Sequence, residues 1–382
     1  MRKKIKNDKE LKDVRYTILL YILIFISCFG CSCSSDDDEN SKIDHVLLVY
    51  LGGDNNLSDE TDLKLEAISR GWQSDSKSRI LVYQDAKDMS ARLLEITGNG
   101  SFVTIGQYGK ENSANKDVFH RVITDAKTLY PHAHFNLLVF SHASGWLPSG
   151  SLQSPKSLIQ VKSIFVDGEN QMELADFASA IPDKAFHTII FEACFMAGIE
   201  VVYQLKDKTD YILASSTELL SPGFTYIYPQ ELSKLVYNND EQFMQAAFNY
   251  FDQQNGDMRS ASFSLIKTDS LDVLAHYIKE NCDFSKEISL SELQHFDRYF
   301  YRLFFDFEDY YIRLMPEDKK EYFLKLIDDI IVYKLATDTF MLGYNGFMIN
   351  KHSGMTTYVM QTEFPTLNEN YRYLDWCKTI DQ

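Results

Sequence analysis

The sequence predicts an α/β protein with a mostly parallel sheet and helices on both faces. Three observations support this: continuous apolar runs, amphipathic segments between them, and a composition that can fill a large core. Of the 382 residues, 45% are hydrophobic and 14% aromatic. Continuous apolar runs are typical of parallel strands buried on both faces, and their alternation with helical patterns indicates βαβ units.

The elements follow in order along the chain. Buried runs cover residues 45–51, 79–85, 135–141, 187–193 and 210–216, and residues 91–96 alternate like an edge strand. Helical patterns cover residues 58–69, 116–129, 172–181 and 196–205. Beyond residue 228 we expect helices over 242–253, 271–281, 290–307, 318–334 and 371–380, and strands over 262–267 and 354–361. The C-terminal part is therefore predicted to be rich in helix.

The pattern divides the chain into four regions. We assign residues 1–32 to a signal peptide, 33–44 to an acidic tether, 45–235 to the α/β core, and 236–382 to a helix-rich region that completes the fold.

The N-terminus resembles a bacterial lipoprotein signal. Seven Lys/Arg residues within the first 30 flank an apolar run of about 14 residues, which is short for a membrane-spanning helix. Cys31 follows a glycine, and Cys33 precedes Ser-Ser-Asp-Asp-Asp, which resembles the export signal of surface lipoproteins in Bacteroidetes-type bacteria. Either cysteine is a candidate for lipidation; an uncleaved anchor and an ordinary secretory signal are the alternatives. We expect an exported protein at the outer membrane or cell surface, held by a lipid anchor.

The charge of the chain restricts its partners. The formal net charge is −17, and the basic N-terminal segment makes the remainder still more acidic. Such a surface repels nucleic acid phosphates and accommodates basic ligands. We therefore expect no nucleic-acid partner.

The cysteines and histidines indicate neither a disulfide framework nor a metal site. Three of the six cysteines lie in the signal region, which leaves Cys194, Cys282 and Cys377 in the body. The nine histidines are scattered and form no ligand cluster, so the sequence itself requires no metal or cofactor.

Two polar motifs end buried runs. His142 follows the run that ends at Ser141, and Cys194 follows the run that ends at Ala193. Because ligand sites in open α/β sheets lie at the carboxyl ends of the strands, neighbouring strands would bring both into one crevice. A cysteine or histidine at a strand end is by itself more often structural. Ser144 is a weaker candidate nucleophile, because its surroundings lack the G-x-S-x-G pattern.

A Cys/His pair has the chemistry of a thiol hydrolase. A thiolate is the nucleophile, and a nearby histidine can take its proton and return it to the leaving amine. The helix predicted to begin near Met196 would favour the thiolate through its dipole. The backbone N–H groups of Cys194 and of Ala143 or Ser144 are candidates for an oxyanion hole.

Four segments resemble the clostripain family of cysteine peptidases. They are VYLGGDNNLS at 49–58, LLVFSHASGW at 137–146, the cysteine block at 189–216, and SGMTTYVMQ at 353–361. The resemblance implies a caspase-like sandwich and an endopeptidase that cleaves protein or peptide substrates, with Cys194 as nucleophile and His142 as general base. It also implies a basic P1 preference, and calcium as a possible requirement.

Two residues depart from the family pattern. Ala143 stands where glycine is usual, which is tolerable unless the position needs a positive φ. Glu192 stands where aspartate is usual, two residues before the cysteine. The resemblance implies that this acid, with Ser215 and Ser216 as a wall, forms the S1 pocket. Strand alternation places Glu192 on the same face as Cys194; the alternative is a buried acid paired with a structural cation.

Other residues have weaker assignments. Asp54 and Asn55 either orient the histidine loop or cap the next helix. Glu218 and Asp167 are further pocket or calcium candidates. Since some relatives are zymogens, Lys156, Lys162 and Lys184 are candidate self-cleavage positions. A catalytically inactive surface lipoprotein that binds peptide or another ligand is the alternative function.

Overall fold

Fifteen strands and eleven helices build the part of the chain that the computed structural model describes, which is residues 43–73, 75–148, 151, 155, 165–167 and 170–381. Cys31, Cys33, Lys156 and Lys162 lie outside the described residues, as do the predicted signal peptide and most of the tether. Ile43–Gln382 cluster as one compact unit.

The strands are numbered along the chain. They are β1 (His45–Gly53), β2 (Ser78–Ala86), β3 (Ala91–Ile96), β4 (Phe102–Gly109), β5 (His134–Phe140), β6 (Phe165–Asp167), β7 (Asn170–Met172), β8 (Phe186–Glu192), β9 (Thr209–Ala214), β10 (Ser262–Lys267), β11 (Phe305–Asp306), β12 (Ile331–Ala336), β13 (Thr339–Phe340), β14 (Phe347–Met348) and β15 (Thr356–Thr357).

The helices are α1 (Ser58–Gly71), α2 (Lys116–Leu129), α3 (Leu174–Ala180), α4 (Ile199–Gln204), α5 (Tyr228–Val236), α6 (Asp240–Asp252), α7 (Leu271–Asn281), α8 (Phe307–Leu314), α9 (Glu317–Ile330), α10 (Pro365–Arg372) and α11 (Asp375–Ile380). Among the described residues, none of these helices is both long and apolar enough to cross a membrane.

Nine strands form the central sheet in the order β12-β10-β9-β8-β5-β1-β2-β3-β4. The five inner strands, β9, β8, β5, β1 and β2, run parallel to one another, and antiparallel strands extend both edges. The two strands β10 and β12 come from the C-terminal region, so that region contributes to the same sheet.

Each face of the sheet is covered by its own apolar core. Alternate side chains of β1 enter opposite cores: Leu48 and Tyr50 lie in one, and Leu47 and Val49 in the other. The first core is closed by α2–α4 and α7–α11, and the second by α1, α5 and α6. The predicted α/β class, with a parallel centre and helices on both faces, is confirmed.

Three predictions in the C-terminal region are wrong. The strand predicted over 354–361 is reduced to the two residues of β15. The segment 290–307 is not a helix: it holds one short 3-10 turn, Leu290–Glu292, before β11. The helix predicted to run to residue 334 ends at Ile330, and the chain continues as β12. The run Ile330-Ile331-Val332 is rich in β-branched residues, which fit a pleated strand better than a helix.

Candidate active site

The register of the sheet brings His142 and Cys194 to neighbouring strand ends. Strands β5 and β8 are adjacent and parallel, and Phe140 pairs with Glu192. His142 and Cys194 each follow two residues after this pair. Because parallel strands end at the same edge of a sheet, both residues lie at the edge where ligand crevices form.

The loops that carry the two residues also pack against each other. Phe195, directly after the cysteine, has φ of +60°, an uncommon conformation for a side-chain-bearing residue. Its buried ring stacks on Phe304 with 4.4 Å between centroids. Gly145 of the histidine loop has φ of +63°, and a Cβ there would lie 2.8 Å from the Phe195 carbonyl oxygen. The close approach therefore requires glycine at 145.

Asn56 orients the histidine. The Nε2 of His142 lies 2.8 Å from the Asn56 Oδ1. With the amide oxygen as acceptor, Nε2 carries the proton, and Nδ1 is the nitrogen available for proton exchange with a thiol. We expected this role, if any, for Asp54 or Asn55. Asn55 instead fixes the loop: its Nδ2 donates to the Val166 carbonyl at 2.6 Å, and its Oδ1 accepts from Leu57 N at 2.8 Å.

Cys194 is a partly buried thiol held by the segment that follows β9. Its Sγ accepts a hydrogen bond from the Leu219 N–H at 3.3 Å and lies 4.0 Å from the Leu219 carbonyl oxygen. Within the described residues no hydrogen bond joins Cys194 to His142. Catalytic hydrogen bonds often form only when substrate binds, so this arrangement is compatible with a Cys/His pair.

Burial keeps both groups neutral at rest. It raises the pKa of the Cys194 thiol to about 12, with a smaller contribution in the same direction from Glu218. It also lowers the pKa of His142 below that of a free imidazole. The helix that we expected to favour the thiolate begins at Ile199 rather than near Met196 and has only six residues. Its dipole is therefore short and distant from the sulfur.

This arrangement predicts how the free enzyme reacts with an alkylating agent. Because burial raises the thiol pKa, the thiolate fraction of Cys194 should increase about tenfold per pH unit through neutrality. We expect the rate of iodoacetamide modification at Cys194, followed by mass spectrometry of its peptide, to keep rising from pH 6 to beyond pH 9. A plateau below pH 8 would instead indicate a preformed thiolate–imidazolium pair.

The two candidate oxyanion-hole donors are available. Neither Ala143 N nor Cys194 N has a hydrogen-bond partner among the described residues. Ala143 is not among the residues with positive φ, whereas Gly145 is. The substitution of the family's glycine by Ala143 therefore costs no left-handed backbone strain here.

Glu192 lies on the opposite face of the sheet from the thiol. Strand β8 ends at this residue, so the alternation that was expected to align it with Cys194 does not continue. Cys194 packs against the first core, and Glu192 is 2% exposed beside Tyr228 of the second.

Both oxygens of the Glu192 carboxylate accept hydrogen bonds in this position. Its Oε1 accepts from the fully buried Lys64 Nζ at 2.5 Å and from Phe224 N at 2.5 Å, and its Oε2 accepts from the Tyr228 hydroxyl at 2.5 Å. Lys64 also lies over the Phe140 ring. This is the geometry of a buried acid paired with a structural cation, and its burial leaves neither oxygen accessible to a P1 side chain.

The predicted wall residues lie beside the cysteine turn. The backbone of Ser215 accepts from Ala197 N at 3.0 Å, which joins the segment after β9 to the turn. Both serine side chains are buried: Ser215 bonds to Thr217 and Ser262, and Ser216 to His352. Their main chains, not their hydroxyls, can therefore face a substrate.

The two acids named as calcium candidates have protein partners in the structure. Asp167 accepts from the backbone N–H of Ser113, and Glu218 accepts from Arg298 and Tyr299. In the described part of the chain, no three His, Cys, Asp or Glu residues are grouped so as to hold a metal ion. Calcium takes six to eight oxygen ligands, more than these two acids supply by themselves.

Solved structures share this architecture. An inactive zymogen C11 protease from Parabacteroides distasonis matches with a TM-score of 0.77 and 28% identity, covering 88% of this chain and 98% of its own. Two structures of secreted C11 cysteine proteases from Bacteroides thetaiotaomicron also match in fold, both with a TM-score of 0.75. They are 24% and 20% identical and cover 88% of this chain and 98% and 99% of their own; the first holds an irreversible peptide inhibitor. No curated protein sequence matches significantly.

The fold and its relatives define a cysteine-type peptidase. The chain belongs to the clostripain family, whose model, Peptidase_C11, matches residues 49–382.

Proposed function

We propose that this protein is an exported, lipid-anchored endopeptidase that cleaves after basic P1 residues with a Cys194/His142 dyad. The observation that supports the dyad most strongly is the pairing of Phe140 with Glu192, since each member of the dyad follows two residues after it on adjacent strands. The packing of Gly145 on Phe195 supports it further, because it holds the two loops together.

The proposed reaction uses groups of this chain alone. When a peptide binds, the His142 Nδ1 takes the Cys194 thiol proton, and the thiolate attacks the scissile carbonyl carbon. The backbone N–H groups of Ala143 and Cys194 stabilise the oxyanion. The imidazolium then gives its proton to the leaving amine, so that the C–N bond breaks and a thioester remains. Water, deprotonated by His142, hydrolyses the thioester and restores the thiol.

Because the Cys194 thiol is neutral in the free protein, we propose that it transfers its proton to His142 only after a substrate has bound. A buried thiol with a raised pKa is protected from oxidation and unwanted alkylation, because the thiolate is the reactive form. This would suit a protease that must cross a cell envelope before it acts.

Export and anchoring rest on the N-terminal sequence, with its basic segment, apolar run and the candidate lipidation sites Cys31 and Cys33. Two of the related structures described above come from secreted proteases. The basic P1 preference rests on the family resemblance and on the net charge of −17.

The test is a panel of fluorogenic peptides that differ only in P1: arginine, lysine and norleucine. We expect turnover of the arginine and lysine peptides, and loss of that turnover when iodoacetamide modifies Cys194. Absence of turnover of every peptide, together with no modification of Cys194, would favour the inactive peptide-binding lipoprotein. Turnover of the norleucine peptide alone would support the peptidase activity but contradict the preference for basic P1 residues.

A further inference from the structure

Glu218 lies beside the candidate nucleophile. The next residue, Leu219, contacts the Cys194 sulfur through its N–H, and Glu218 is the acid whose charge raises the pKa of the Cys194 thiol. Its side chain is 15% exposed, in contrast to the fully enclosed Glu192. A carboxylate next to the thiol is therefore within reach of solvent.

This carboxylate already holds a guanidinium group. The Arg298 Nε donates to Glu218 Oε2 at 2.5 Å, and Arg298 Nη2 donates to Oε1 at 3.1 Å. The Tyr299 hydroxyl donates to the same Oε1 at 3.1 Å. Two parallel N–H···O bonds are the fork geometry by which carboxylates recognise arginine side chains. The contact has the form expected for a bound P1 arginine.

The position of the Arg298 side chain allows a substrate to displace it from Glu218. It comes from the irregular segment between Leu290–Glu292 and β11, and its side chain is 28% exposed. The Arg298 guanidinium also acts on the Cys194 thiol, lowering its pKa slightly against the larger effect of burial. Both side chains of the pair reach solvent, so a substrate guanidinium that makes the same two hydrogen bonds to Glu218 can replace Arg298 there. Displacing the fully buried Lys64 would instead leave the Glu192 carboxylate buried without a cation, which is much more costly.

We propose that Glu218 is the carboxylate that binds a basic P1 side chain, and that Arg298 occupies this subsite until a substrate displaces it. The proposal rests on the peptidase function proposed above. It assigns the selection of basic P1 side chains to Glu218 rather than to Glu192. When a P1 arginine replaces Arg298, one guanidinium takes the place of another. The Glu218 carboxylate therefore has a cationic partner both before and after the substrate binds.

The decisive measurement is the P1 selectivity ratio, defined as kcat/KM for the P1-arginine peptide divided by that for the norleucine peptide. We expect Glu218→Gln to lower this ratio about 100-fold and Glu218→Asp to restore part of it. Arg298→Ala should lower KM for the arginine peptide about tenfold, because the internal competitor is gone. The double variant Glu218→Arg/Arg298→Glu keeps an ion pair but should lose the preference for arginine.

A matched control is available in another arginine–glutamate pair. Glu292 accepts from Arg313 at 3.0 Å and does not affect the pKa of Cys194. Glu292→Gln should leave the selectivity ratio unchanged. An equal fall of kcat/KM for both peptides in Glu218→Gln, or an unchanged ratio, would overturn the proposal, because a purely structural ion pair would give those results.

A binding measurement separates this proposal from the peptidase function. In the Cys194→Ala background, fluorescence anisotropy can compare labelled peptides that end in arginine or norleucine. Tighter binding of the arginine peptide that is lost in Glu218→Gln supports the subsite even if the wild type hydrolyses nothing. Equal binding of both peptides overturns the subsite even if the wild type is an active peptidase.

Discussion

Replacement of Cys194 by alanine is expected to lower kcat for peptide hydrolysis by roughly 10⁴-fold or more, because it removes the proposed nucleophile on which both chemical steps would depend. Folding should be little affected, since the thiol is at the edge of the core and its hydrogen bonds among the described residues are weak sulfur contacts with Leu219. The measurement is single-turnover hydrolysis of the P1-arginine peptide, with the far-UV circular dichroism of both proteins compared.

Cys282 offers a matched control for this variant. It is also a free, partly buried cysteine, burial raises its pKa to about 12 as well, and its sulfur lies 3.9 Å from the Tyr311 carbonyl oxygen. Cys282→Ala should keep wild-type turnover. The assignment of Cys194 fails if both alanine variants remain active, or if His142→Ala hydrolyses the peptide as fast as the wild type.

Replacement of Lys64 by methionine is expected to reduce the free energy of unfolding by about 3–5 kcal/mol, since it leaves the Glu192 carboxylate buried without a cation. The lysine side chain is fully buried, and Nζ also donates to Thr225 Oγ1 at 3.0 Å. Urea denaturation at neutral pH measures the change. The double variant Lys64→Met/Glu192→Gln should recover most of the loss, because it removes both charges while the new side-chain amide oxygen still accepts from Phe224 N.

The exposed pair Lys116–Asp176 provides the comparison. Its nitrogen and oxygen lie 3.3 Å apart, with half of the lysine side chain exposed. Lys116→Met should cost less than about 1 kcal/mol, because water already screens this pair. Similar losses for the two methionine variants, or additive losses in the Lys64/Glu192 double variant, would mean that the buried pair does not act as a unit.

The sequence predicted those features of the fold that depend on local apolar pattern. Strands β1, β2, β5, β8 and β9 coincide with continuous apolar runs, since strands buried on both faces have no polar side. Segments that depend on tertiary contacts were not predictable in this way. The aromatic stretch before β11 has helical spacing, yet its chain is held in irregular form by the buried carboxylate of Asp297, which accepts from Leu303 N and Phe304 N.

The placement of His142 and Cys194 at strand ends was predictable, but the details of the site were not. Strand alternation places Glu192 and Cys194 on one face only if the strand continues to Cys194, and β8 ends at Glu192. The positive φ of Phe195 was not predictable, because phenylalanine rarely adopts this conformation. Lys64 lies 128 residues before its partner, and Arg298 lies 80 residues after Glu218. Neither ion pair has a sequence signature, because both depend on how distant segments pack.

The turn that carries Cys194, the proposed nucleophile, is completed by segments that follow it by more than 100 residues in the chain. Phe195 stacks on Phe304, and the Ala197 carbonyl accepts from Thr356 N at 3.0 Å. While a chain is still being made, the earlier residues can begin to fold without these partners. A growing chain therefore has the sequence of the nucleophile but lacks the supports that fix its geometry. Proteolytic competence should arise only after residue 356 has been made, and a fragment ending near residue 300 should fold poorly around Cys194.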